Sequence, residues 1–128
     1  MPSILIEVKK QYSVDEEIAI IEAVHDALVE CFKTRVQDKN VRLLVHEAHR
    51  FASSLERPNF THVTIDCFKG RTLDAKRKLY RTIVQKLTAF GIPADDIEII
   101  IREGERENFG IRGGQAACDV ELGFKLDV

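Results

Sequence analysis

A duplicated segment constrains the fold of this chain more than any other feature. The stretch at residues 36–47 recurs at residues 92–103, and corresponding positions keep a constant separation. Each copy follows a long helical pattern, which itself follows a short strand of alternating apolar residues. The chain is therefore predicted to contain two βαβ units that arose by internal duplication.

Capping residues and helix breakers set the ends of both predicted helices. Ser13 is the expected N-cap of the first helix, with Glu16 in the capping-box position, and the apolar spacing continues to about residue 33. Thr72 is the expected N-cap of the second helix, which ends near residue 89, before Gly91 and Pro93. At 128 residues the chain is predicted to be one domain (1–128), with repeats at about 2–49 and 62–103, a linker at about 50–61 and a C-terminal hairpin or interface segment at 104–128.

The strand patterns predict an α+β fold of two layers. It would have a four-stranded mixed sheet with two helices on one face, plus short C-terminal strands. One parity of each strand is wholly apolar and is expected to face the helices. The opposite parity is half apolar and includes Leu44, Phe68 and Ile100. These residues fit either a symmetric oligomer whose sheets face one another or a sheet exposed to solvent.

The composition argues against several classes of partner. A net charge of −2 gives no general attraction to nucleic acid or to an anionic membrane. The sequence has no apolar stretch long enough for a membrane-spanning helix. The cysteines, three in number and widely spaced, fit free thiols in a reducing compartment. The chain is therefore expected in the cytoplasm, without a nucleic-acid or membrane partner.

Pro2, directly after Met1, is the main candidate catalytic residue. A small second residue normally lets the initiator methionine be removed, which would leave a secondary amine at the start of an apolar strand. The ordinary pKa of an α-amino group is about 7.7–8.0, and burial or neighbouring cations lower it. Such an amine could act as a base near neutral pH. Many chains carry proline after methionine for no catalytic reason, and that reading remains open.

Two later segments supply candidate binding residues. Lys69 and Arg71 bracket Gly70 between a strand and a helix, where cations and helix amides can bind a carboxylate. The alternative is a solvated turn. The glycine-punctuated segment at residues 108–114 contributes Phe109 and Arg112, either as a surface hairpin or as a pocket wall donated to a neighbouring subunit.

The other polar residues are more typical of structural roles. His46 and His49 leave opposite faces of a strand and cannot share an ion, so no metal site is predicted. His25 lies at the edge of the buried stripe of the first helix, where a satisfied histidine is favoured over a catalytic one. The basic run at residues 76–81 is typical of a solvated helix face.

Pro2, the duplicated unit, the Lys-Gly-Arg-Thr turn and the closing Phe-Gly-Ile-Arg-Gly together resemble the tautomerase superfamily, over nearly the whole chain. The similarity is greatest to the long-chain branch that includes malonate semialdehyde decarboxylase. This resemblance implies a homotrimer without metal or organic cofactor. It implies substrates that are small keto, enol or unsaturated carboxylates. The amino-terminal proline would serve as general base or acid, or as an imine-forming nucleophile.

The resemblance also assigns roles to individual residues. Pro2 matches the catalytic proline, and Arg71 matches the second arginine of an Arg-Pro-Arg-Thr motif. Lys69 stands at the first arginine, which keeps the charge but loses the bidentate fork. Phe109 matches an aromatic residue of a hydrophobic wall, and Arg112 is a further candidate cation.

Three positions are weaker matches to the superfamily. The water-activating aspartate of the decarboxylase falls nearest Asn40, with Asp38 two residues earlier. His25 falls near the first-helix histidine of the cis-chloroacrylate dehalogenases. The departure at Asn40 favours a tautomerase over a decarboxylase or hydratase acting on a 3-carbon acid of the malonate semialdehyde type. A non-catalytic trimeric binding protein is the remaining alternative.

Overall fold

The predicted α+β class is confirmed by the computed structural model, which describes residues 2–123. Two parts of the prediction lie outside the described residues. They are Met1, whose removal is predicted, and residues 124–128, the end of the predicted C-terminal segment. The elements in chain order are β1 (Ser3–Val8), α1 (Val14–Phe32), β2 (Val41–Val45), β3 (Thr61–Phe68), α2 (Leu73–Thr88), β4 (Ile97–Gly104), β5 (Gly110–Ile111) and β6 (Gln115–Ala116).

Local hydrogen bonds explain where both helices begin. The Ser13 hydroxyl accepts from the Glu16 amide at 3.1 Å, and the Glu16 carboxylate accepts from the Ser13 amide at 3.0 Å. Thr72 caps α2, because its hydroxyl accepts from the Ala75 amide at 3.1 Å. Both predicted N-caps are therefore confirmed. Neither helix in the described part of the chain is long and apolar enough to cross a membrane.

The sheet joins the two βαβ units through their first strands. The strand order is β2-β1-β3-β4, with β1 parallel to β2, β3 parallel to β4, and β1 antiparallel to β3. The beginning of β1 therefore lies at the same sheet edge as the ends of β3 and β4. The short strands β5 and β6 form a separate antiparallel hairpin.

Both helices pack on the apolar parity of the sheet, as predicted. The apolar side chains of β1 and β3 on this face are at most 1% exposed, and Leu79, Ile83 and Leu87 of α2 are fully buried against them. The outer strands β2 and β4 close the layer with partly buried valines, leucine and isoleucines. Burial of this face supplies the main hydrophobic stabilisation of the fold.

The opposite face of the sheet is open in the single chain. Leu44 and Ile100 are 47% and 44% exposed there, among charged and histidine side chains. Phe68 was expected to share this exposure, yet it is fully buried. The difference arises because the C-terminal segment folds back over it and packs Phe109, Ala117 and Leu122 against its ring.

Candidate active site

The strand register brings the start of β1 to the ends of β3 and β4. Ser3 pairs with Asp66, so Pro2, one residue earlier, lies towards Cys67. Cys67 in turn pairs with Glu103 of β4. Side chains alternate between faces along each strand, so this row of three residues lies on the helix-packed face. Pro2 itself is buried.

A glycine turn after β3 directs Arg71 into the protein. Gly70 has a φ of +137°, a conformation that glycine adopts readily and other residues rarely adopt. Arg71 follows and is only 5% exposed. Its Nη1 donates to the Phe68 carbonyl at 3.2 Å, and its guanidinium carbon lies 5.0 Å from the centroid of the Phe32 ring. The charge is thus held by a carbonyl and an aromatic face.

The Arg71 guanidinium retains two buried nitrogens, Nε and Nη2, without a hydrogen-bond partner among the described residues. A buried donor left unsatisfied costs about 1–3 kcal/mol, and more when the group is charged. Burial lowers the pKa of Arg71, while Cys67 and Glu103 oppose that shift. An arginine nevertheless remains protonated in proteins. A carboxylate is the ligand that would match two such nitrogens.

Cys67 and an ion pair border this guanidinium. Burial raises the pKa of the Cys67 thiol, which is 1% exposed, so the neutral form is favoured. The Lys76 Nζ lies 2.7 Å from Oε1 of Glu103, and the two side chains are 20% and 26% exposed. The ion pair is therefore shielded in part from water, which strengthens its electrostatic interaction.

An aromatic pair forms a wall at the same sheet edge. Phe109 packs edge-to-face against Phe68, with ring centroids 4.8 Å apart. Gly104, the β4 partner of Phe68, leaves the space that Phe109 fills, because an added Cβ would lie 3.1 Å from Cε1 of that ring. The predicted hydrophobic-wall residue thus lies beside the strand that leads to Arg71.

Lys69 and Arg112 lie outside this buried group in the single chain. The Lys69 side chain is 67% exposed and pairs with Glu105 at 3.2 Å. Arg112 has a φ of +49° in the β5–β6 turn, and its Nη1 donates to the Glu121 carbonyl at 2.9 Å. Within one protomer, therefore, neither the Lys69 ammonium nor the Arg112 guanidinium belongs to the buried group around Arg71.

The three weaker candidates have structural partners. The Nε2 of His25 donates to the Val36 carbonyl at 2.9 Å, and this histidine is 2% exposed. The Asp38 carboxylate accepts from Arg35 at 2.8 and 3.2 Å. The Asn40 carbonyl accepts from the Ile4 amide at 3.0 Å, which places Asn40 near the start of β1.

A separate cavity of about 700 Å³ lies at the other end of β1, between Lys9, Lys10, Ala48 and residues 53–59. Neither Pro2 nor Arg71 lines it. Within residues 2–123, no group of three or more histidine, cysteine or acidic side chains is arranged to hold a metal ion.

Sequence reasoning missed four residues of this region: Phe32, Cys67, Lys76 and Glu103. Lys76 was assigned to a solvated basic run, yet it is the member of that run that turns towards the sheet edge. Glu103 carried a usable signal, because it shares the parity of Ile99 and Ile101, which pack on the core. A carboxylate at the end of an apolar parity needs a partner.

The fold and the site together define a duplicated βαβ protein with a buried cation beside its first strand. A family model described as tautomerase enzyme matches residues 38–112, more than half of the chain. This chain belongs to the tautomerase family. The match begins after Pro2, so it does not bear on the role of the proline.

Solved structures extend the similarity to nearly the full length. The FG41 malonate semialdehyde decarboxylase inhibited by 3-bromopropiolate is 26% identical, with 89% of this chain and 92% of that chain covered and a TM-score of 0.80. Native fused 4-OT is 19% identical, with 95% and 99% covered and a TM-score of 0.85. A second fused 4-OT, a symmetric trimer, is 21% identical, with 90% and 95% covered and a TM-score of 0.78. Curated proteins give no significant match.

Proposed function

We propose that this chain is a cofactor-free tautomerase in which Pro2, freed by removal of Met1, transfers a proton on a small keto or enol carboxylate. Arg71 would bind the substrate carboxylate. Lys69, Phe109 and Arg112 would complete the pocket where subunits meet. The family match supports the reaction class, and the strand register supports a site between Pro2 and Arg71.

The observation that carries this proposal is the pair of unpartnered nitrogens on the buried Arg71. A protein gains no stability from leaving two charged donors unsatisfied. A ligand with two oxygens in one plane would satisfy both, which is the geometry of a carboxylate. The same sheet edge carries Pro2, so a carboxylate held by Arg71 would bring its neighbouring carbons towards the amine.

In the proposed reaction the free amine of Pro2 accepts the proton of the enol hydroxyl and delivers a proton to carbon, which yields the ketone. The reverse transfer forms the enol. Burial and the positive charge of Arg71 both disfavour the protonated amine, which leaves a base available near neutral pH. Arg71 is only 5% exposed and lies over the Phe32 ring, so little water would reach it, which would strengthen its interaction with the carboxylate.

We also propose a homotrimer. Leu44 and Ile100 are half exposed on the open sheet face, and a threefold arrangement of sheets would cover them. The trimeric state of the similar fused 4-OT supports this arrangement. Light scattering coupled to size exclusion would test it, and a monomeric mass would count against any pocket shared between subunits.

The test of the proline has two stages. Intact mass determines whether Met1 has been removed, since a retained methionine would block the amine. Ketonisation of phenylpyruvate enol is then followed by absorbance in the wild type and in Pro2→Ala. We expect a loss of at least about 100-fold in kcat/KM, as is typical when an acid–base group is removed. Wild-type rates no better than those of Pro2→Ala would favour a non-catalytic binding protein.

A decarboxylase or hydratase acting on a 3-carbon acid is the second candidate, which the similarity to the FG41 decarboxylase supports. The arrangement of Asp38 weighs against it, because Arg35 already binds both carboxylate oxygens. Proton NMR of malonate semialdehyde and of 3-carbon unsaturated acids separates these reactions from tautomerisation. Asp38→Ala should leave tautomerisation intact and would impair decarboxylation only if this carboxylate activates water.

A further inference from the structure

The row of charged side chains beside Arg71 suggests a role that the proposed proton transfer does not use. Glu103 is the β4 partner of Cys67, and Arg71 lies four residues after Cys67 around the Gly70 turn. Glu103 therefore lies on the row of residues that borders Arg71, where its negative charge opposes the lowering of the Arg71 pKa by burial. Glu103 does not bind the guanidinium, because Nε and Nη2 have no partner among the described residues.

Lys76 is the ion-pair partner of this carboxylate. Its Nζ lies 2.7 Å from Oε1 of Glu103, a short charge-assisted hydrogen bond. The two side chains are 20% and 26% exposed, so the pair is screened less than a fully exposed ion pair. Lys76 projects from the first turn of α2, which Thr72 caps, so its backbone has a fixed position beside the end of β4.

We propose that Lys76 is a positioning residue that holds Glu103 away from Arg71 and thereby keeps Nε and Nη2 of the guanidinium unpaired for the substrate carboxylate. The inference rests on the proposed function for the identity of the ligand. Without Lys76, Glu103 would be a carboxylate without a partner, partly withdrawn from water, on the row of residues that borders Arg71. A charge withdrawn from water is stabilised by pairing with an opposite charge. Glu103 would then occupy the two nitrogens that the substrate requires.

This arrangement also sets the charge of the buried group. Within the group of Arg71, Lys76 and Glu103, the ion pair is neutral as a unit, and the guanidinium contributes one uncompensated positive charge. The buried group by itself therefore matches one carboxylate.

Kinetics of four variants provide the first test. In Lys76→Met we expect KM for phenylpyruvate enol to rise by about 10- to 100-fold, the value of a hydrogen bond to a charged group, with kcat little changed. Glu103→Gln should leave KM near the wild-type value, and the double variant Lys76→Met/Glu103→Gln should restore it. Arg77→Met is the matched control, since Arg77 is the next residue of α2 and its pair with Asp74 is exposed.

A purely structural ion pair predicts a different pattern. Loss of either partner would then raise KM, because each single change leaves the other charge without its partner. Equal increases in KM for Lys76→Met and Glu103→Gln would therefore overturn the inference.

A spectroscopic test requires no activity. The Nε–H signal of Arg71 in ¹⁵N-labelled protein is identified by its absence from Arg71→Lys. In Lys76→Met this proton should shift downfield and exchange more slowly with water, because Glu103 now accepts from it. The signal should stay at its wild-type position in Glu103→Gln, in the double variant and in Arg77→Met.

The two tests separate this inference from the proposed function. An unchanged Arg71 signal in Lys76→Met overturns the inference whatever the kinetics show. A shifted signal with an unchanged KM supports the inference, and it removes Arg71 as the carboxylate anchor of the proposed reaction.

Discussion

Replacing Arg71 with methionine should separate function from stability. The change removes the guanidinium and keeps an unbranched side chain that can pack against Phe32. If the arginine is held in the protein for a ligand, its loss should abolish binding with little effect on folding. Buried charged groups that serve the fold behave in the opposite way, since their removal is strongly destabilising.

The contacts of Arg71 allow the expected change in the free energy of unfolding to be worked out. Arg71→Met removes the two unpartnered nitrogens, Nε and Nη2, and with each of them the cost of a buried donor without a partner. This stabilises the variant by about 1–3 kcal/mol for each nitrogen. Loss of the hydrogen bond to the Phe68 carbonyl removes about 1.5–3 kcal/mol. Loss of the contact with the Phe32 ring removes about 1–2 kcal/mol. These contributions nearly cancel, so we expect a net change within about 1 kcal/mol.

Urea unfolding, at one protein concentration for both proteins, measures the stability. In the same samples, kcat/KM of Arg71→Met should be lower than that of the wild type by about 100-fold or more, because two charge-assisted hydrogen bonds to the substrate are lost. Arg71→Lys is the control that retains the positive charge without the bidentate geometry of the guanidinium. Its activity should lie between those of the wild type and Arg71→Met. A loss of stability above about 3 kcal/mol would refute the reasoning, since it would match the cost of breaking a satisfied buried charge. Unchanged activity would refute the assignment of Arg71 as the carboxylate anchor.

Three further predictions concern the rest of the fold. Ile100→Glu should convert a trimer to folded monomers in light scattering, because Ile100 is exposed in the single chain; an unaffected trimer would contradict the proposed interface. Hydrogen bonds from the Ser13 backbone and hydroxyl lower the pKa of Glu16 in the folded protein. The contribution of the Glu16 carboxylate to stability is therefore present above the ordinary carboxyl pKa, and it is lost as the pH falls through the lowered pKa of the folded state. Glu16→Gln should flatten the acid limb of the stability curve, and an unchanged limb would exclude this contribution. Iodoacetamide should leave Cys67 unmodified in folded protein, since burial raises the pKa of its thiol, whereas Cys118 is exposed; mass spectrometry showing early Cys67 alkylation would contradict the buried position.

Local chemistry made the helices predictable from the sequence. The Ser13–Glu16 capping box and the Thr72 cap involve residues three apart, so their geometry follows once the helix forms. Alternation along the strands identified the face on which the helices pack, because a residue's parity fixes its side of the sheet. Pro2 and Arg71 became candidates through their positions, directly after Met1 and in the Lys69–Gly70–Arg71 turn, and the resemblance to a family then assigned their roles. Their joint role remains a proposal.

The tertiary structure decided what depends on distant segments meeting. The antiparallel pairing of β1 with β3 brings Pro2 towards Cys67, and the parallel pairing of β3 with β4 adds Glu103. Phe68 has an open-face parity, yet the returning C-terminal segment buries it. Sequence periodicity records which side of an element is apolar, because that pattern repeats within the element. It does not record which elements become neighbours, since that depends on long-range packing. The free nitrogens of Arg71 and the Lys76–Glu103 pair could therefore be seen only in the folded chain.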